Sequence, residues 1–379
     1  MKILHISNYY YPHIGGIEQV ARDTVNAIGG DAEQRVFCFH HEKRDERGEV
    51  DGIPVIRAGS FVKVASQSLS FSYGTLLKRE IGDFAPDVIV FHFPNPFAAH
   101  YLLKCLKGRK TKLILWWHLD IIKQKLLKKL FRGQTIRLLK RADKIVATSP
   151  DYIEGSEFLP AFREKCTVIP NCAADSRVTL TEEERLRAEA IRQENAGKFL
   201  LFAVGRHVPY KGMEYLVRAS KLLGDGYSVC IGGEGELTPS LKALADGDEK
   251  VRFLGRISDS ELKAYLAACD VFCFPSITKN EAFGIALAEA MAFAKPSVTF
   301  TIKGSGVNYV SLNGVTGIEV ANGDVEAYAA AIRTLKEDAA LREKFGREAF
   351  RREQELFTEK AFHRNVRALF GLAGGETVK

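Results

Sequence analysis

Val271-Phe272-Cys273-Phe274-Pro275, an apolar run closed by proline, is followed six residues later by Glu281-Ala282-Phe283-Gly284-Ile285-Ala286-Leu287-Ala288-Glu289. A short continuous apolar run bounded by a turn residue reads as a buried strand, and the good helix formers on to Ala292 read as a helix beginning near Phe283 or Gly284. Glu281 then falls before the first turn and Glu289 inside the helix. Eight residues span just over two helical turns, so the two carboxylates need not touch and can hold separate parts of one elongated ligand. The free N–H groups of the helix start near Gly284 suit an anion such as a phosphate. Taken alone, the spacing also describes an ordinary helix with an acid at its start and a solvated Glu289.

Outward from this unit, the same alternation repeats along the chain. Strand-like runs occupy residues 2–7, 34–39, 54–58, 87–93, 112–118, 144–149 and 166–170, with helical stretches between them. A charged stretch from Thr181 to Glu194, inside the linker-like segment from Asn171 to Gly197, precedes a second series at 199–204, 227–231, 251–254, 271–274 and 297–300. Strands alternating with helices give parallel sheets covered on both faces, so the expected fold class is α/β with two doubly wound units. The tail from Val325 to Leu372 reads as helical, with interruptions near Gly346 and Thr358. At 379 residues the chain exceeds the usual single-domain size, in keeping with two cores.

Composition narrows the class. Hydrophobic content of 46% and charged content of 27% are those of a water-soluble globular protein, and no apolar run approaches a membrane span. The first residues read as a strand rather than as a signal peptide. Seven scattered cysteines without a C-x-x-C pair suggest neither a zinc site nor a disulfide framework, and a cytoplasmic location is expected. Residues 120–144 hold nine Lys or Arg against two Asp, a surplus equal to the whole net charge of +7. Lys123, Lys125, Lys128, Lys129 and Arg132 alternate there with Ile122, Leu126, Leu127, Leu130 and Phe131, which reads as a basic amphipathic helix. Such a helix lies on an anionic membrane surface or meets an anionic acceptor, or else is a domain helix with its leucines turned to the core. No nucleic-acid-binding module accompanies it, so nucleic acid is not an expected partner.

In doubly wound sheets ligands bind beyond the carboxyl ends of the strands. After the first strand stand Gly15 and Gly16, where a helix begins and a ligand can approach the backbone. His118 ends the strand that starts at Lys112. Arg206 follows the first strand of the second half, and Lys211 lies close behind; two cations at one strand end can neutralise a diphosphate and stabilise it as it leaves. Ile231-Gly232-Gly233-Glu234-Gly235 fails the dinucleotide fingerprint, because Thr238 replaces the last glycine, and no Walker A sequence is present. Asp246-Gly247-Asp248 reads as a turn.

Taken together, Gly15-Gly16, His118, Gly205-Arg206, Lys211-Gly212, Ile231 to Gly235, Val251-Arg252-Phe253-Leu254-Gly255 and Glu281-x7-Glu289 resemble the GT4 family of retaining glycosyltransferases, over nearly the whole chain. The resemblance implies a GT-B fold: a Rossmann-like acceptor-binding domain at 1–180, a nucleotide-sugar-binding domain at 195–355, and a C-terminal helix at about 356–379 that returns to the first. It implies that Arg206 and Lys211 hold the donor diphosphate and that Gly15 and Gly16 allow the first domain to close over it. Glu289 would bind the ribose, Glu281 the transferred sugar with backbone N–H groups of Phe283, Gly284 and Ile285, and Ile257 would mark where the base lies. His118 would sit beside the sugar. No cofactor and no metal are implied, and the leaving phosphate would serve as the base.

Two positions depart from the family pattern: Cys172 stands where glycine usually follows Asn171, and Gly304-Ser305-Gly306 stands where a Pro-Glu pair is common. Phe91 to Phe97 and His118 to Gln124 are similar to bacterial mannosyltransferases of O-antigen synthesis. That implies GDP-mannose as donor and a lipid-linked glycan as acceptor at the inner face of the cytoplasmic membrane. A UDP-sugar donor, a nucleotide-sugar epimerase and a non-catalytic nucleotide-sugar or membrane binder are the alternatives.

Overall fold

A computed structural model describes residues 1–13, 15–64, 67–120 and 125–374. The chain forms two compact units. The first comprises Met1–Thr148, Ser156–Ile169 and the segment from Phe362; the second comprises Ser149–Gly155 and Pro170–Ala361.

The first unit is built on ten strands: β1 (Lys2–Ile6), β2 (Glu33–Phe39), β3 (Glu46–Val50), β4 (Ile53–Ala58), β5 (Val62–Val64), β6 (Gln67–Leu69), β7 (Val88–Phe93), β8 (Lys112–Trp117), β9 (Lys144–Ala147) and β10 (Cys166–Val168). Eight of them form one sheet in the order β10-β9-β8-β7-β1-β2-β4-β3, while β5 and β6 pair as a separate antiparallel ribbon. Every residue of β7 is buried, as expected for a central strand covered on both faces. The antiparallel edge strand β3, Glu46-Arg47-Gly48-Glu49-Val50, leaves no apolar signature in the sequence, because its side chains are exposed or half-buried. Charged edges of this kind block further strand pairing.

The second unit holds β11 (Phe199–Val204), β12 (Tyr227–Gly232), β13 (Val251–Gly255), β14 (Val271–Phe274), β15 (Ser297–Phe300) and β16 (Gly317–Val320), in the order β13-β12-β11-β14-β15-β16. All its pairings are parallel. The short edge strand β16 escaped the sequence reading. The helix Glu182–Glu194, read as a surface helix of a linker, is fastened inside this unit. Thr181 and Glu184 form a capping box at its start, and Lys263 and Glu261 pair with its Glu184 and Arg187. The expected break at Gly346 is absent, since one helix runs from Ala339 to Leu356. The break lies instead at Asp338, whose carboxylate caps that helix by accepting from the Leu341 N–H at 2.8 Å. Glycine at 346 serves contact: a Cβ there would stand 2.3 Å from the Ala294 carbonyl oxygen.

Candidate active site

In the second unit, the loops after β11, β12 and β14 converge at the carboxyl ends of the strands. The His207 N–H donates to the Glu234 carbonyl at 3.0 Å, and the Leu237 N–H to the His207 carbonyl at 3.0 Å. Gly233 has φ +110°, and a Cβ on it would lie 2.0 Å from the Gly205 carbonyl oxygen. The glycine-rich stretch therefore brings two loop backbones together, a packing role.

Arg206 is exposed, donates to the Tyr210 hydroxyl at 3.2 Å and has no acidic partner among the described residues. Lys211 closes the short turn Pro209–Lys211, and its ammonium lies 2.5 Å from Glu281 Oε2 and 5.3 Å from the Phe274 ring. The Ser276 hydroxyl donates to the same carboxylate oxygen at 3.1 Å. Ser305 donates to the Glu281 carbonyl, and the Gly306 N–H donates to the Ala282 carbonyl at 3.0 Å. The Gly304-Ser305-Gly306 loop thus braces the backbone that carries Glu281.

The helix starts at Ile285, with Gly284 in the left-handed region at φ +91° and no side chain capping the first turn. Its first N–H groups are not taken up by a cap. Phe283 is 2% exposed and its ring packs edge-on against Phe357, leaving only its backbone available to a ligand. Glu289 is not solvated: it is 2% exposed and bonded to Arg177 Nε, while Arg177 Nη1 reaches Asp259 at 2.8 Å. Burial alone would lower Arg177, but the charges of Glu289 and Asp259 outweigh it and hold the guanidinium above its ordinary value. Ile257 is half-buried against the core.

In the first unit, Gly15 precedes the helix Gly16–Ile28, and apart from its chain neighbours and its own helix backbone no described atom lies within 4 Å of where a Gly16 side chain would begin. His118 follows β8, is 6% exposed, and has its Nε2 3.0 Å from His92 Nδ1. Burial brings its pKa down to about 3, so the ring is neutral at ordinary pH. Asp120 accepts from Trp117 Nε1 at 3.0 Å, the Ser156 hydroxyl at 2.8 Å and the Glu157 N–H at 2.9 Å, which makes it a local tie.

The sequence signature described as Glycosyltransferase Family 4 matches residues 14–177, and that described as Glycosyl transferases group 1 matches residues 184–352. D-rhamnosyltransferase WbpZ of Pseudomonas aeruginosa is 34% identical over 94% of this chain and 92% of its own length. The chain belongs to glycosyltransferase family 4. O-antigen chain mannosyltransferase C of Escherichia coli is 30% identical over 94% of this glycosyltransferase and 95% of its own length. Sucrose-phosphate synthase from Thermosynechococcus elongatus superposes with a TM-score of 0.79 at 19% identity, covering 98% of each chain. The fold is GT-B, with two Rossmann-like units. Membership implies a nucleotide-sugar donor and a glycan acceptor.

Within the glycosyltransferase, Arg206, Lys211, Glu281 and the Gly284 helix start stand on the loops after β11 and β14 of one unit, and Glu289 lies inside the helix that follows. Arg177 was missed by sequence reasoning, because its partner Glu289 lies 112 positions away and nothing local marks it. Ser276 and Ser305 were missed as well; their only signal is their place after β14 and β15. Of the basic-helix residues, Lys123 lies outside the described residues, as do the side chains of Lys125, Lys128 and Lys129 in the helix Lys125–Arg141. Arg132 is exposed but pairs with Glu157 at 3.4 Å. Further along, Leu138 and Leu139 are fully buried, so that part of the helix serves the core. Among the described residues, no helix is long and apolar enough to cross a membrane.

Proposed function

We propose that this glycosyltransferase moves a manno-configured hexose, in the first place mannose from GDP-mannose, to a lipid-linked glycan in cell-surface polysaccharide synthesis. D-rhamnose is 6-deoxymannose, so the names of the Pseudomonas aeruginosa and Escherichia coli relatives describe transfer of a sugar with the same ring configuration. The observation that carries the donor site is Arg206, a cation with no acidic partner among the described residues, standing beyond the strand end that also carries Lys211 of the Lys211–Glu281 pair.

In this reading, Arg206 and Lys211 hold the diphosphate, with the N–H groups near Ile285 as further donors. Glu281 takes the hydroxyls of the transferred sugar, Glu289 takes the ribose, Ile257 lies near the base, and His118 contacts the sugar. The acceptor hydroxyl oxygen bonds to the anomeric carbon on the face the diphosphate leaves, the carbon–phosphate-oxygen bond breaks, and the hydroxyl proton passes to the departing phosphate oxygen. The anomeric configuration is retained. Developing negative charge on the leaving group meets two fixed cations, so a divalent metal is not part of the proposal. The basic segment Lys123 to Arg132 would approach the anionic carrier at the inner membrane face.

A panel of GDP-mannose, a nucleoside diphosphate D-rhamnose and UDP-hexoses, with EDTA and with or without a polyprenyl diphosphate glycan, tests this directly. Acceptor-dependent transfer from GDP-mannose is expected. Selective use of a UDP-sugar would refute the donor, and release of free sugar or epimer at the same rate without acceptor would refute transfer.

A further inference from the structure

We infer that His92 is a positioning residue that fixes the tautomer of His118, so that His118 presents its Nδ1–H to the ligand as a neutral hydrogen-bond donor. The inference rests on the functional reading above only for the identity of the ligand, a sugar oxygen.

The two rings are linked by a hydrogen bond, His92 Nδ1 to His118 Nε2 at 3.0 Å, and lie edge to edge with centroids 5.3 Å apart and planes 18° from parallel. Burial lowers both rings, His118 to about 3 and His92 well below its ordinary value, so both are neutral and one must donate while the other accepts. If His118 donated from Nε2, His92 would carry its proton on Nε2, an atom that is fully buried with no partner among the described residues. A buried N–H without an acceptor is rarer and more costly than a buried lone pair without a donor. Trp116 stacks on His92 and already leaves its indole N–H unpartnered, so this arrangement would put a second orphan donor in the same stack.

If His92 donates from Nδ1, its Nε2 keeps only a bare lone pair. The same core accommodates that situation at His5. Gln34 spends its amide N–H groups on the Val25 and Gly29 carbonyls, so its oxygen accepts from His5 Nε2 at 2.9 Å, and His5 Nδ1 is left bare and buried. With Nε2 of His118 occupied as an acceptor, the proton of His118 resides on Nδ1, the ring nitrogen without a hydrogen-bond partner among the described residues. His118 then acts neither as a base nor as a charged acid. It donates one hydrogen bond whose direction His92 sets.

The test is the long-range nitrogen–proton spectrum of the full chain labelled with nitrogen-15 histidine at pH 7, with His118 assigned by its loss in His118→Ala. The Nδ1–H tautomer of His118 is expected with no substrate present; the Nε2–H tautomer, or an even mixture, would overturn the inference. His92→Asn, whose amide N–H can stand in for Nδ1–H, should keep that tautomer and most of the turnover. His92→Phe keeps the ring stack, but should give a mixed tautomer and lower kcat by about tenfold, the worth of one hydrogen bond, with nucleotide affinity unchanged. Equal turnover in His92→Phe and wild type would also overturn it. If the tautomer is as expected and no nucleotide sugar is turned over, the functional reading fails and the tautomer assignment stands.

Discussion

Acidification should loosen the first unit before the second, because the first buries three neutral histidines. His5, His92 and His118 all lie in it; burial brings His5 down to about 4 and His118 to about 3, and puts His92 well below its ordinary value. In each case the folded value is below the unfolded one, about 6.5, so the unfolded chain binds more protons in the interval between them. Their contribution is therefore nil above about pH 6.5 and grows increasingly unfavourable as pH falls towards the folded values. At pH 5 each histidine costs about 2 kcal/mol and the three together about 6 kcal/mol, against the roughly 5–15 kcal/mol of a typical domain. The second unit contains one histidine, His207, which is also lowered by burial. Both tryptophans, Trp116 and Trp117, stand in β8, so their fluorescence reports on the first unit alone. Urea titrations at pH 7.5, 6 and 5 should show its midpoint falling steeply below pH 6.5. His5→Phe should remove about a third of that slope. A midpoint that stays level from pH 7.5 to 5 would refute the reasoning.

Arg177→Ala strands the buried Glu289 carboxylate and should destabilise the second unit by about 2–3 kcal/mol, below the full penalty of a broken buried pair because Arg177 is itself partly exposed. Calorimetry should show the second transition lowered, and Glu289→Gln in the same background should restore most of it; a surface-like loss under about 0.5 kcal/mol would contradict the pairing. Arg206→Ala removes a cation that no acid balances among the described residues, so it should leave melting unchanged while weakening GDP binding by roughly ten- to hundredfold in titration calorimetry. Gly233→Ala forces a Cβ onto the Gly205 carbonyl and should cost about 2–4 kcal/mol, or prevent soluble expression; a melting temperature equal to wild type would show that the loops can part.

The doubly wound class was legible because central parallel strands such as β11 are apolar throughout and because most strands of the two main sheets are followed by a helix pattern. The charged edge β3 and the short β16 were not, since the edge of a sheet imposes no apolar pattern. The strand-end residues Arg206, Lys211 and Glu281 could be named from position alone, as ligands gather there in such folds. Their tertiary partners could not. Taken alone, Glu289 read more readily as a solvated helix residue until Arg177 and its burial were seen, and the His92–His118 contact joins neighbouring strands whose register the sequence does not display. Gly346 shows the reverse error: a residue that reads as a helix breaker is required by a close backbone approach within a continuous helix.

The most direct test of the donor site is to measure nucleotide binding and sugar transfer side by side in wild type, Glu281→Ala and Glu289→Ala with GDP, UDP and their sugars. Wild type should bind and turn over GDP-mannose. Glu281→Ala should keep its affinity for bare GDP while losing most of its turnover, and Glu289→Ala should lose affinity for GDP itself. Binding of no nucleotide sugar by wild type, or equal and negligible effects of the two substitutions, would contradict the account.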